Sequence, residues 1–118
     1  MEGILSTKNK DFYTDEITVV HIALTRLWNI GLKETLYDKN VNKFTRKEMI
    51  KILDYLKQHP ELFYSLVTYQ RFIDNLEQLV MLMHGNEKCS ITYHGVGHRY
   101  RKLISSNDIM VCNYEGIQ

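Results

Sequence analysis

The sequence predicts an α+β domain in which three main helices are followed by a small antiparallel β-hairpin or three-stranded meander. Apolar residues recur at steps of three and four along three segments between residues 14 and 85, and the period then falls to two. With 118 residues, of which 44% are hydrophobic and 25% charged, the chain has the size and composition of one ordinary globular domain. We assign residues 14–118 to this single domain and residues 1–13 to a flexible arm.

The first predicted helix follows the arm directly. Residues 1–13 show neither helical nor strand periodicity and include a polar run. From residue 14 onwards apolar side chains fall on one helical stripe, which predicts a helix over residues 14–30 that Gly31 ends. The stripe consists of Ile17, Val20, Ala23, Leu24, Leu27 and Trp28.

The second predicted helix has clear start and stop signals. Thr45 and Glu48 have the spacing of a capping box, in which each side chain accepts a hydrogen bond from an otherwise unpaired backbone N–H. Pro60 follows the helix, because a proline lacks the N–H that a continuing helix needs. The expected buried residues are Met49, Ile52, Leu53 and Leu56.

The third predicted helix spans residues 66–84, with Ser65 as its N-cap and Gly85 as its stop. Its expected buried residues are Phe72, Leu76, Leu79, Val80 and Met83. Beyond residue 86 alternating apolar residues predict a hairpin that turns near residues 95–97, where two glycines tolerate the positive φ of a tight turn. A further turn at residues 105–108 precedes a possible third strand over 109–114.

The stretch from Phe44 to Leu103 combines a capped helix, a proline-marked break, a helix beginning SLVTYQR and the basic segment GHRYRKL. In this order it resembles winged-helix transcription regulators of the ferric-uptake-regulator and PadR type. Their recognition helix often starts with a Thr, an aromatic residue and an Arg, and their wing often ends in an Arg-Tyr-Arg-Leu-like run. The resemblance implies a winged-helix-like fold and DNA binding. It implies no metal response, because the His- and Cys-rich sensing segments of the ferric-uptake family are absent.

The predicted recognition helix offers hydrogen-bonding side chains beside its apolar stripe. These include the donors that read guanine and adenine in the major groove. The candidates for base contact are Thr68, Gln70, Arg71 and Asn75. Asp74 and Glu77 on the same helix would repel phosphate. The alternative interpretation is the solvated face of an ordinary amphipathic helix.

The net charge of the whole chain is +1, so a nucleic-acid partner must be met by a local patch. Residues 43–58 and residues 86–104 each carry a local charge of +3, and the rest of the chain is acidic. Such concentration suits phosphate contact with release of counterions. The predicted phosphate contacts are Arg46, Lys47, Arg99, Arg101 and Lys102. The alternative for the segment HRYRK is an edge strand whose charges prevent self-pairing.

Metal-ligating residue types gather in the last 35 residues, where the chain carries His84, Cys89, His94, His98 and Cys112. A zinc site needs four ligands, and the spacing of these residues does not name the fourth. We therefore predict no metal and no cofactor, with metal binding by these five residues left open.

The chain has no glycine-rich phosphate loop and no GxSxG or HExxH motif, so we predict a protein that is not an enzyme.

The first functional hypothesis is a small transcription regulator that binds double-stranded DNA as a homodimer, with helix 14–30 in the dimer contact. The alternative is a non-enzymatic adaptor or inhibitor, of the kind that phages and other viruses encode, acting through a Tyr-rich surface. That surface would draw on Phe12, Tyr13, Tyr37, Phe63, Tyr64, Tyr69 and Tyr93.

No window approaches the ~18 apolar residues of a membrane span and no secretion signal is evident, which predicts a cytoplasmic protein without membrane contact.

Overall fold

The computed structural model describes residues 2–31, 34–35 and 41–94 of the chain, with the backbone alone at residues 93 and 94. Within these residues three helices accompany one four-stranded antiparallel sheet, which confirms the predicted α+β class. The elements in chain order are β1 (Glu2–Ser6), β2 (Asp11–Thr14), α1 (Ile17–Trp28), β3 (Lys43–Thr45), α2 (Arg46–Lys57), a 3-10 turn (Pro60–Leu62), α3 (Leu66–Met81) and β4 (Lys88–His94).

The sheet has the strand order β2-β1-β4-β3, so its two central strands are far apart in the chain. Leu5 of β1 lies opposite Phe12 of β2 and opposite Ile91 of β4. These three side chains belong to the buried core that the helices share with the sheet. Tyr13 and Thr92 alternate with them along their strands and are exposed. One face of the sheet therefore contributes to the core.

The prediction of a flexible arm over residues 1–13 is wrong, because this segment supplies β1 and most of β2, two of the four strands. Thr7 closes the turn between them, since its N–H and its hydroxyl both donate to the carbonyl of Lys10 at 2.9 Å. β1 pairs with β2 over residues 3–6 and with β4 over residues 2–6. Its three central residues are all buried, so the strand has no alternation of apolar and polar residues to detect.

α1 carries its buried residues in one unbroken run. Residues 17–24 are all buried, and the helix ends at Asn29, whose φ of 55° is left-handed. The N–H of Asn29 donates to the carbonyl of Thr25 at 2.9 Å and closes the last turn. The structure does not support helix 14–30 as a homodimer contact, because most of its apolar surface is used inside its own chain.

α2 confirms the prediction made from its capping signals. The Thr45 hydroxyl accepts a hydrogen bond from the N–H of Glu48 at 3.2 Å, and the Glu48 carboxylate accepts one from the N–H of Thr45 at 2.8 Å. The buried residues are the four predicted ones, Met49, Ile52, Leu53 and Leu56. After the helix, Pro60 begins the short 3-10 turn that leads to α3.

α3 begins as predicted, with the Ser65 hydroxyl accepting a hydrogen bond from the N–H of Thr68 at 3.1 Å. Its first residue is Leu66. All five residues predicted for the apolar stripe are buried, namely Phe72, Leu76, Leu79, Val80 and Met83. Phe72 also contacts Phe12 of β2, with ring centroids 5.1 Å apart, and this contact joins the helix to the N-terminal hairpin.

The C-terminal end of α3 lies at Met81, three residues earlier than predicted. Two side chains from other elements bind carbonyl oxygens there. Arg46 donates through Nε to the carbonyl of Val80 at 3.2 Å, and Asn9 donates through Nδ2 to the carbonyl of Leu82 at 3.1 Å. These donors satisfy carbonyl groups that would otherwise need a further helical turn.

β4 confirms that a strand follows the third helix, but its neighbours differ from the expected ones. It pairs with β1 on one side and with β3 on the other. The predicted turn at residues 95–97 and the third strand at 109–114 lie outside the described residues. Over the ranges that the structure does describe, no helix has the length and apolar character needed to cross a membrane.

Candidate nucleic-acid interface

Half of the described lysine and arginine residues lie where β3, the start of α2 and the start of β4 meet. We call this surface the basic corner. Its cationic residues are Lys43, Arg46, Lys47, Lys51 and Lys88, which are five of the ten in the described part of the chain. All five are exposed. The corner therefore presents a concentrated positive charge to solvent.

Strand pairing and helix geometry bring the basic corner together. Thr45 at the end of β3 lies opposite Lys88 of β4, although the two are 43 positions apart in the chain. Arg46 and Lys47 begin α2 immediately after Thr45, and Lys51 follows Lys47 by one helical turn. Arg46, Lys47 and Lys88 line one open groove of about 580 Å³.

Two carboxylates lie near the basic corner, and both accept hydrogen bonds from backbone N–H groups. Glu48 accepts one from Thr45 as part of the capping box. Glu87 accepts one from Lys8 at 2.8 Å and one from His84 at 3.3 Å. These carboxylates leave the corner with a net charge of +3.

Arg46 is held in place more firmly than the lysines of the basic corner. Its Nε donates to the Val80 carbonyl at the C-terminal end of α3. This end of a helix carries a partial negative charge, which a guanidinium neutralises. A side chain that is already ordered loses less conformational entropy when it binds a further group. Arg46 is therefore pre-oriented for contact with an anion beside the groove.

The four predicted base-contacting residues divide into two pairs. Gln70 and Arg71 are exposed on α3. Thr68 is half-buried, and its hydroxyl lies 2.9 Å from that of Ser65 at the helix start. Asn75 is also half-buried and donates through Nδ2 to the carbonyl of Arg71 at 3.0 Å. The structure thus brings only Gln70 and Arg71 to the solvent face of the helix.

Arg71 lies apart from the basic corner and near acidic residues. It lines a second open groove, of about 360 Å³, together with Asp15 and Glu16 at the start of α1. Arg46 contacts Val80, nine residues further along α3, which corresponds to about 13 Å along the helix axis. The predicted base-reading and phosphate-binding residues therefore do not form one continuous basic surface within the described residues.

Three of the five predicted phosphate contacts, Arg99, Arg101 and Lys102, lie outside the described residues. The other two, Arg46 and Lys47, are in the basic corner. Lys43, Lys51 and Lys88 contribute to the two local charges of +3 in the sequence but are not among the predicted site residues. The spacing of Lys47 and Lys51 was a usable local signal, whereas Lys88 joins the corner only through pairing of β3 with β4.

The residues considered for a metal site are only partly within the described ranges. In residues 2–31, 34–35 and 41–94 no three His, Cys, Asp or Glu side chains come close enough to hold a metal ion. Cys89 is buried, and burial raises the pKa of its thiol to about 12. A thiol with such a pKa stays protonated and unreactive at neutral pH. The Cys112 and His98 side chains lie outside the described residues.

The aromatic surface proposed for an adaptor is smaller than the sequence suggested. Phe12 and Phe63 are buried in the core. Tyr69 is half-buried, and its hydroxyl donates to the Lys57 carbonyl at 2.6 Å. Tyr13 and Tyr64 are the exposed members, at 67% and 92% exposure, while the Tyr37 and Tyr93 side chains lie outside the described set. The two exposed tyrosines sit on different elements.

Comparison with known proteins adds no family to these observations, because no family model, curated protein or solved structure matches the chain. The function of the site must therefore be inferred from the chemistry of its own residues. That chemistry is a cluster of exposed cations beside an open groove.

Proposed function

We propose that this chain binds double-stranded DNA through the basic corner, by contacts with backbone phosphates. The observation that supports the proposal is the set of five exposed cations, near which, within the described residues, Glu48 and Glu87 accept hydrogen bonds from backbone N–H groups. Lysine and arginine side chains that neutralise phosphates release counterions, and this release supplies most of the free energy of non-specific binding. A chain with a net charge of +1 needs such a local cluster, because its overall charge attracts no polyanion.

The exposed cations that line the groove beside the basic corner favour an anionic, phosphate-bearing partner. Three cations line the groove, together with one carboxylate and both polar and apolar residues: Arg46, Lys47, Lys88, Glu87, Thr45, Asn86, Ile50 and Gly85. Exposed cations on the rim of an open groove remain hydrated until an anion arrives, which is the usual condition of phosphate-binding surfaces.

Base reading by α3 is not part of this proposal. Thr68 and Asn75 use hydrogen-bonding groups within their own helix, and Asp74 and Glu77 would approach phosphates if the helix entered a groove. Phosphate contacts position a protein on the duplex but carry no sequence information directly. We therefore propose DNA binding of low sequence selectivity, and regulation at a defined operator remains a prediction from the sequence.

Single charge-removing variants test the proposal against a matched control. Lys47→Gln and Lys88→Gln should each weaken binding of a fluorescent duplex several-fold on every sequence, and each should lower the salt slope by about one. Arg26→Gln removes one positive charge at the end of α1, where the guanidinium bonds the Tyr55 hydroxyl, and should leave affinity unchanged. Equal affinity of all four proteins, or equal losses from all three substitutions, would refute the basic corner as the binding surface.

A further inference from the structure

α3 presents an outward stripe whose chemistry differs from that of the basic corner. Its exposed members include Val67 and Met81, at 63% and 72% exposure. Gln70, Gln78 and the pair Arg71 and Asp74 lie between them on the same face, and all four are exposed. This set, which we call the α3 stripe, has one positive and one negative charge and is therefore neutral overall.

Exposed apolar residues are concentrated on and around the α3 stripe. Six large hydrophobic side chains are exposed within the described residues, and five of them belong to α3 or its immediate flanks. Those five are Tyr64, Leu66, Val67, Met81 and Leu82. These residues form one apolar group at each end of the helix, with polar residues between the two groups. Clustered exposed apolar side chains mark interaction sites, and protein interfaces are depleted in charge and enriched in Met and Tyr. A neutral face of this kind fits a protein surface better than a phosphate backbone.

The residues of this surface are symmetric about Asp74. Gln70 and Gln78 each lie four residues from it, and Val67 and Met81 each lie seven residues from it. The outermost pair, Leu66 and Leu82, is eight residues from Asp74 on either side. Apolar residues thus recur at the same distances on both sides of the midpoint, with amides inside them, while the counterpart of Arg71 at three residues is the oppositely charged Glu77.

We propose that the α3 stripe docks on the same stripe of a second copy of this chain, with the two helices antiparallel. A two-fold axis at Asp74 then sets Val67 of each copy opposite Met81 of the other, and amide opposite amide. The interface is isologous, so each contact occurs twice. A foreign partner would have no reason to match the symmetry of this helix about its own midpoint.

The same geometry brings the two Asp74 carboxylates together at the axis. Their repulsion weakens the dimer, and the Arg71 side chains one helical turn away offset only part of it. The interface is also small, because 16 helical residues span about 24 Å and stable interfaces bury about 800 Å² on each partner. Both effects predict a weak dimer, whose association is to be sought at chain concentrations of up to about 500 µM.

Sedimentation equilibrium of the full chain over about 5 to 500 µM, without nucleic acid, tests this dimer. Val67→Asp and Met81→Lys should each weaken association about tenfold, because each leaves a charge against an apolar residue. Both charges suit the helix ends that they occupy, so the helix itself remains stable. Gln58→Asp adds a charge at the end of α2, outside the stripe, and should leave association unchanged.

Two additional variants test the antiparallel arrangement itself. The double variant Val67→Asp/Met81→Lys sets opposite charges against each other and should associate more tightly than either single variant. Asp74→Asn removes the repulsion at the axis and should tighten association about threefold. A parent chain that stays monomeric at about 500 µM overturns the proposal. The proposal is also overturned if the double variant associates no more tightly than the single variants. The same holds if Asp74→Asn associates no more tightly than the parent chain.

Discussion

His21 is a titratable side chain in the interior of the molecule. It is fully buried in α1, with Nδ1 lying 3.3 Å from the Thr35 hydroxyl. Burial lowers the pKa of the imidazole to about 3, because desolvation disfavours its charged form. The neutral ring is therefore the folded form, whereas in the unfolded chain the same ring titrates near 6.5.

This difference in the pKa of His21 makes stability depend on pH. Between pH 6.5 and pH 3 the unfolded chain binds the additional proton, so the free energy of unfolding falls as the pH falls. From pH 6.5 to pH 5 we expect a loss of about 1.5 kcal/mol, measured by urea unfolding. The neutral variant His21→Gln should show a much flatter profile over this range. Parallel profiles for the two proteins would show that His21 is not the source of this pH dependence.

Gly3 is required where β1 meets α1. A Cβ at this position would lie 2.8 Å from Cγ1 of Ile17 and 3.0 Å from the carbonyl oxygen of Thr92. The backbone oxygen belongs to the neighbouring strand and cannot move freely. We expect Gly3→Ala to destabilise the fold by about 1 to 3 kcal/mol in urea unfolding. Ser6→Ala, on the same strand, is the control, and equal stability of the two variants would show that the contact is not tight.

At the level of elements, the capping box of α2 also determines how the basic corner is presented. Thr45 both ends β3 and caps the helix that carries Arg46 and Lys47. Thr45→Ala should lower the free energy of unfolding by about 1 kcal/mol, because the N–H of Glu48 loses its acceptor. Thr45→Ser keeps the hydroxyl and should retain most of the stability. A serine variant as unstable as the alanine variant would assign the loss to the methyl group instead.

Elements with local signals could be predicted from the sequence. The second and third helices begin at the residues that Thr45 and Ser65 indicated, and their buried faces are the predicted ones. In both helices the cap and the apolar period lie within a few residues of each other, so short-range physics suffices. The end of α3 was misplaced because Arg46 and Asn9 reach it from distant parts of the chain.

The sheet could be predicted only in part, because its pairing is non-local. β3 has only three residues. Its last residue, Thr45, pairs with Lys88 at the start of β4, which lies 43 positions later in the chain. β1 lies between two strands and shows no alternation, so its sequence predicts a flexible arm instead of a strand. The same non-local pairing hid the contribution of Lys88 to the candidate site, whereas Arg46 and Lys47 were predicted from charge alone.

At the scale of the whole molecule, α3 has two distinct surfaces near it. The basic corner meets its C-terminal end through the contact of Arg46 with Val80, and the neutral α3 stripe runs along its solvent face. A nearly neutral chain can thus carry a strongly positive surface and a surface of zero net charge without a large overall field. In a dimer formed through the stripe, each copy would contribute one basic corner, and the duplex affinity would gain from avidity.

Phosphate binding by the basic corner predicts that the affinity for a duplex falls steeply as salt is added. A fluorescent duplex is titrated with the full chain at several salt concentrations between about 50 and 500 mM. Contact of three to five corner cations with phosphates predicts a plot of log affinity against log salt with a slope between about −3 and −5, on unrelated duplex sequences alike. A slope shallower than about −1, or no binding at about 50 mM salt, would contradict phosphate binding by the basic corner.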